Sequence, residues 1–201
     1  LKRNVGSGTT IDKTKGLQRQ SAAEPSGGKC VALVVTMDHW FGDIFIRTSL
    51  RSGDLGYLTY LHGVLYKQEM GYGLLFEAYV AAGLASFYEN YDAGKDAVWI
   101  CEKDGVVVGS LVLAHRENAL AQLRYFLLHP QHRGHGLGRH LLQSFIQTLK
   151  EKGFAGAYLL TTEELPAAAS LYAHFGFRLV EEKSSPIFGK PVKEQRYELK
   201  L

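Results

Sequence analysis

Gln122-Leu-Arg-Tyr-Phe-Leu-Leu-His-Pro-Gln-His-Arg-Gly-His-Gly-Leu-Gly-Arg139 is the stretch that decides how the rest of the chain is read. Residues 122–128 are an apolar run suited to a buried strand, and Gly134, Gly136 and Gly138 make a sharp turn. Beyond them Leu137, Leu141, Leu142, Phe145, Ile146 and Leu149 recur at the spacing of one helix face, until Gly153 ends the run. The helix therefore starts on the glycines. Its first N–H groups have no intrahelical partner, and with the positive end of the helix dipole they favour an anion by about 0.3–1 kcal/mol. The glycines remove the β-carbons that would hold a phosphate away, and Arg133 and Arg139 add positive charge beside it. The stretch predicts a phosphate cradle.

Working outward, residues 44–50 alternate as a first strand. Ser52 or Asp54 can cap a helix that carries Leu55, Leu58, Leu61 and Leu65 and ends near Met70, before Gly71 and Gly73. A second helix spans about 74–89. Strands at 97–102 and 106–114 join through Asp104-Gly105, a hairpin signal because that turn needs positive φ. After the cradle helix come a strand at 157–162, a short helix from Pro166 through His174, and strands at 177–181 and 196–199. The order β-α-α-β-β-β-α-β-α-β-β predicts an α/β (α+β) fold: a mixed, mostly antiparallel central sheet flanked by helices, with one parallel crossover at the cradle. Residues 44–201 form the domain. Residues 30–43 are an extension of uncertain structure, opened by a short apolar run at 30–35. Residues 1–29, rich in Gly, Ser, Thr and Lys, are read as a disordered or accessory basic tail.

The composition, 46% hydrophobic and 21% charged over 201 residues, suits one globular domain. No apolar run approaches the roughly 18 residues of a membrane span, so no membrane partner is expected. The tail holds Lys2, Arg3, Lys13, Lys15, Arg19 and Lys29 against Asp12 and Glu24, a surplus of four, so the body is slightly negative although the chain nets +3. Nucleic-acid binding is therefore not expected of this chain. Cys30 and Cys101, far apart, suit reduced thiols and a cytoplasmic location. His129, His132 and His135 recur every third residue, but Pro130 interrupts them and no carboxylate is near in sequence, so no metal is expected.

Two familiar glycine motifs fail here. A Walker A loop needs Gly-Lys-Ser/Thr, and the dinucleotide fingerprint needs a third glycine where Leu141 stands. Arg133-x-x-Gly136-x-Gly138 instead resembles the acyl-CoA signature of the GNAT superfamily of N-acyltransferases. Leu171-Tyr172-Ala-His-Phe-Gly176-Phe177 resembles the Leu-Tyr-x-x-x-Gly-Phe segment that closes the GNAT core. His62-Gly63, Tyr66, Glu69, Gly71, Phe76-Glu77 and Val80-Ala81 are similar to the acyltransferase half of bacterial chains that carry a MarR-type winged helix ahead of it. The segment preceding the domain here is too short to be that winged helix.

The resemblance implies acetyl-CoA as donor substrate and direct transfer to a primary amine of a small molecule, peptide or protein. By that likeness the backbone of Phe126, Leu127 and Leu128 would pair with the pantetheine arm and offer an N–H to the thioester carbonyl. Arg133, Gly134, His135, Gly136, Leu137, Gly138 and Arg139 would hold the pyrophosphate. Tyr172 takes the place of the family's general acid to the leaving thiolate; the alternative is a tyrosine that only packs. The chain departs from common family patterns at Leu165, where many relatives carry Asn, and at Gln122, where many carry Glu. Glu69 and Glu77 are candidates for attracting the amine or relaying its proton through water, the alternative being solvated helix charge. Seven tyrosines between 57 and 91 could wall an acceptor cleft. The competing functional reading is a catalytically silent acyl-CoA-sensing module, and the C-terminal strands offer a possible homodimer interface.

Overall fold

The computed structural model describes residues 37–201, so the tail at 1–29 and the apolar run at 30–35 lie outside the described residues. The described chain opens with a short hairpin, β1 (His39–Phe41) and β2 (Ile44–Arg47). Helices α1 (Asp54–Met70) and α2 (Leu74–Glu89) follow, then strands β3 (Ala97–Lys103), β4 (Val106–His115) and β5 (Leu120–Leu128). After a 3-10 turn (Pro130–His132) come α3 (Leu137–Glu151), β6 (Gly156–Thr162), α4 (Pro166–His174) and the closing hairpin β7 (Arg178–Ser185) and β8 (Val192–Lys200). The eight strands form one sheet in the order β1-β2-β3-β4-β5-β6-β8-β7. Its pairs are antiparallel except β5 with β6. This is the mixed, mostly antiparallel architecture expected, with β1 added inside the 30–43 extension. Three residues are too few to display a period.

Local chemistry accounts for the boundaries. Asp104 and Gly105 take φ of 51° and 77°, the double positive φ of a tight hairpin. Gly71, at φ 75°, ends α1 by donating its N–H to Lys67 O. The start of α1 differs from expectation. Gly53 holds the N-cap with no side-chain cap, and neither Ser52 nor Asp54 caps the helix. Asp54 lies instead in the first turn, where its carboxylate takes the buried Arg47 guanidinium at 2.8 and 2.9 Å. Arg47 Nε also donates to Glu102 at 2.8 Å, so the pair fastens β2, α1 and β3 together.

Each face of the sheet is covered. Leu141, Leu142, Phe145 and Leu149 of α3 pack with Trp99, Leu111, Leu113, Leu123 and Leu159. On the other face Leu58 of α1 and Phe76, Val80, Leu84 and Phe87 of α2 pack with Val98, Ile100 and Val112. Complete burial of such a side chain contributes about 1.5–3 kcal/mol.

Two irregularities in β5 prepare the site. The register against β4 passes from Val112↔Arg124 to Ser110↔Leu127, so Tyr125 and Phe126 together face Leu111, and Tyr125 sits at φ 49°. Such a bulge bends the strand and re-aims its side chains. The parallel pairing with β6 then stops at Leu123↔Leu159, while β6 stays bonded to β8 as far as Thr162. Past that point the two parallel strands part.

Candidate active site

The parting of β5 and β6 opens a cleft of about 600 Å³, lined by β5, β6, all four helices, the glycine turn and the loop between β7 and β8. At one end stands the start of α3. Gly136, at φ 87°, is its N-cap. No side chain caps the helix, and no acidic residue occupies its first turn. The first-turn N–H groups therefore meet the cleft with the helix dipole unopposed. Gly134, Gly136, Gly138 and Arg139 line the cleft here, and Arg139 donates to His174 Nε2 at 2.6 Å. His135 is solvent-exposed and Leu137 is buried in the core below α3, so neither side chain lines the cleft.

Arg133 does not supply free charge. Its Nε donates to Leu128 O at 2.8 Å, and its two Nη atoms make a bidentate pair with Glu69 at 2.8 Å each. The arginine fastens the end of β5 to α1 and occupies both oxygens of Glu69.

Phe126, Leu127 and Leu128 line the middle of the cleft, on the edge of β5 that β6 has left. Opposite them α4 brings Tyr172, only 5% exposed, its ring 6.1–6.3 Å from those of Phe126, Phe177 and Tyr197. Burial pushes its phenol pKa up, with Tyr66 and then Tyr197 adding to the effect. Tyr66 of α1 is likewise raised by burial, to about 12, and its ring stacks between Phe76 at 4.4 Å and His62 at 5.9 Å.

His62 was not singled out as a reactive group from the sequence. It is buried and lines the cleft. Its Nδ1 lies 2.8 Å from Leu58 O. A carbonyl can only accept, so Nδ1 carries the proton and Nε2 is left with its lone pair. Burial lowers the pKa of the ring to about 4, so the imidazole is neutral at pH 7. One signal was legible: residues 62, 66 and 69 follow i, i+4, i+7 and share one face of α1.

At the far end β5 contributes Gln122 and Arg124, α2 contributes Tyr79, β8 contributes Glu194, and the β7–β8 loop contributes Ile187 and Phe188. Gln122 Oε1 accepts from Arg116 at 2.7 and 3.0 Å. The neighbouring wall is fastened by Tyr72, whose hydroxyl meets Thr162 Oγ1 at 2.9 Å and Glu164 at 2.8 Å, while Lys190 reaches Glu164 at 2.6 Å. Leu165 lines the cleft as an apolar residue at the head of α4.

Glu77 is not brought to this cleft. Residues 76 and 80 turn that face of α2 inward. The Glu77 carboxylate lies against α1, where a β-carbon on Gly63 would come within 2.7 Å of its Oε2. Of the seven tyrosines between 57 and 91, only Tyr66, Tyr72 and Tyr79 line the cleft. Among the described residues no cluster of three His, Cys, Asp or Glu side chains has the arrangement of a metal site.

Residues 65–177 match the acetyltransferase (GNAT) family. An uncharacterized N-acetyltransferase of Escherichia coli K12 is 33% identical over 101 residues, covering 49% of this chain and 60% of that protein. The chain spans about half the length of the curated relatives it matches. Two solved structures share the fold. An acetyltransferase from Streptococcus agalactiae has a TM-score of 0.62 at 22% identity, over 80% of this chain and 100% of that one. A Salmonella typhimurium protein solved with its cofactor acetyl-CoA has a TM-score of 0.61 at 22% identity, over 79% and 94%.

Proposed function

The chain belongs to the acetyltransferase (GNAT) family, and from that premise we propose that it moves the acetyl group of acetyl-CoA directly onto a primary amine of a small molecule or peptide. One observation carries the reading: the uncapped start of α3, the unpaired edge of β5, Tyr172 and His62 all open onto the same cleft. The Salmonella neighbour, of like fold and solved with acetyl-CoA, supports the choice of donor.

In this reading the N–H groups from Gly134 to Arg139 hold the diphosphate, with charge from Arg139. The free edge of β5 at Phe126, Leu127 and Leu128 pairs with the pantetheine amides and aims an N–H at the thioester oxygen. One such donor contributes about 3 kcal/mol to the transition state in comparable sites. The amine nitrogen attacks the carbonyl carbon, and the C–S bond then breaks. Tyr172 donates to the departing sulfur; its raised pKa keeps it protonated across the neutral range. His62 Nε2 takes the proton that the amine loses. A lysine-like amine with pKa near 10.4 is neutral in only about one molecule in 10³ at pH 7, and it is this fraction that attacks; the N–H of the adduct is far more acidic than the free ammonium, which lets an imidazole held near pKa 4 take its proton. Glu69, already bound to Arg133, shapes the field along α1.

Thiol release measured with a panel of amines tests the reading. Tyr172→Phe lowers kcat by about 10²-fold and leaves coenzyme A affinity unchanged; an unaltered kcat removes Tyr172 from the mechanism. Gln122, whose amide cannot take a proton, favours the second reading, a silent sensor that binds coenzyme A without turnover with any amine. The proposal extends to work in the cytoplasm, where the buried thiol of Cys101 stays reduced, and to a homodimer through the free edge of β7, where Leu179 and Val180 are exposed.

A further inference from the structure

Five charged side chains line the cleft among the described residues: Glu69, Arg124, Arg133, Arg139 and Glu194. Arg133 and Glu69 neutralise each other, and Arg139 stands at α3 against His174. Arg124 has no such partner. Its guanidinium lies over the Tyr125 ring, 4.7 Å from the centroid, and makes no ion pair with any described carboxylate. It is nevertheless held in place. The cation rests against α2 at Gly83, where a β-carbon would come within 2.7 Å of Nη2. The ring below and the notch in the helix fix the planar group without using its N–H donors. A half-buried guanidinium held this way is preorganised for a planar, two-oxygen anion.

A second donor stands beside it. Gln122, two residues earlier on β5 and also lining the cleft, gives its amide oxygen to Arg116, which leaves its Nε2 hydrogens without a partner among the described residues. This place is separate from the α3 cradle. With the bulge at Tyr125 and Phe126 counted as one step, Arg124 precedes Leu128 by three strand steps, at about 3.3 Å each roughly 10 Å, and the glycine turn lies beyond Leu128. One phosphate group cannot bridge the two. On β8, Glu194 also lines the cleft without an ion-pair partner among the described residues and can draw an ammonium group, while Tyr79 and Phe188 offer an apolar wall.

From this arrangement we infer that the acceptor is a small zwitterion of the amino-acid type, its carboxylate bound by Arg124 with Gln122 beside it. The inference rests on the proposed acetyl transfer for its amine, but the anion subsite can be read independently of turnover.

The test compares L-amino acids with their C-terminal amides in the thiol-release assay, for the wild type and Arg124→Gln. The ratio of acid to amide kcat/KM falls by about 10- to 100-fold in the variant, the weight of a charge-assisted pair, because the neutral amide loses a weaker hydrogen bond than the carboxylate does, while coenzyme A affinity stays put. An unchanged ratio overturns the inference. Calorimetry with N-acetyl-L-amino acids supplies the separate readout: binding to the wild type that is lost in Arg124→Gln supports the subsite even if no amine is acetylated, in which case acetyl transfer alone fails. Equal binding, or none to the wild type, overturns the subsite. Should Arg124→Gln not fold, Arg124→Lys serves, retaining charge without the bidentate fork and giving a partial fall in the same ratio.

Discussion

His62 shows how much a single residue reports. Its folded pKa, lowered by burial to about 4, lies below the ordinary value of 6.5, so on acidification the unfolded chain takes up the proton first. Its contribution to stability is complete above pH 6.5 and is lost as pH falls towards 4. Integrated over that shift it amounts to about 3 kcal/mol. Thermal melts from pH 7 to pH 4 therefore drop steeply for the wild type and less steeply for His62→Gln. The same substitution lowers kcat in the thiol-release assay if Nε2 accepts the amine proton. Glu77→Gln, altering a carboxylate outside the cleft lining, leaves the amine KM and the pH–rate profile unmoved. Charge on a helix was readable from its letters; which neighbour the charge faced depended on how α2 rolled against α1 at Gly63, where no side chain intervenes.

Among the elements, β5 carries the most consequence. Gly109 on β4 lies opposite Leu128, and a β-carbon there would stand 2.8 Å from Leu127 O and 2.5 Å from Leu128 Cδ2. The carbonyl belongs to the backbone and cannot rotate aside. Gly109→Ala is expected to cost about 1–3 kcal/mol through overpacking, and it moves the very edge that borders the cleft. Urea melts check the first effect and coenzyme A calorimetry the second; loss of stability with unaltered affinity detaches the edge from donor binding. The amphipathic spacing of α3, the paired positive φ of Asp104-Gly105 and the glycine stops made the element order legible. The bulge at Tyr125 left no trace, because 123 and 125–128 are apolar or aromatic on either side of it and period two has nothing to slip against. The parting of β5 from β6 was hidden for the same reason: it depends on where hydrogen bonds cease. The glycine turn and Tyr172 stood out by motif, whereas His62 and Arg124 look like ordinary helix and strand residues until the cleft brings them together.

For the whole molecule, the buried Arg47, with Asp54 and Glu102 around it, ties the first strand pair to α1 and to the sheet. Removing the cation leaves the Asp54 carboxylate, 6% exposed, without its buried counter-charge. Breaking a buried pair in this way typically costs about 3–5 kcal/mol, which for a domain of this size lowers Tm by about 10 °C. Arg47→Met is expected to show that fall by calorimetry, and Arg47→Met with Asp54→Leu to recover much of it, since two apolar side chains leave no unpaired charge. Equal melting of the single and double variants refutes the account.

The gap between β5 and β6 has one rim of bare main chain, at 126–128 and the start of α3, and another of side chains, among them Arg124, Tyr79, Phe188 and Glu194. Mutation rewrites side chains and leaves peptide groups alone. On the proposed assignment of the donor to the first rim and the acceptor to the second, a lineage can change what it accepts one codon at a time while the first keeps its grip, so novelty in substrate need not be bought with loss of the donor.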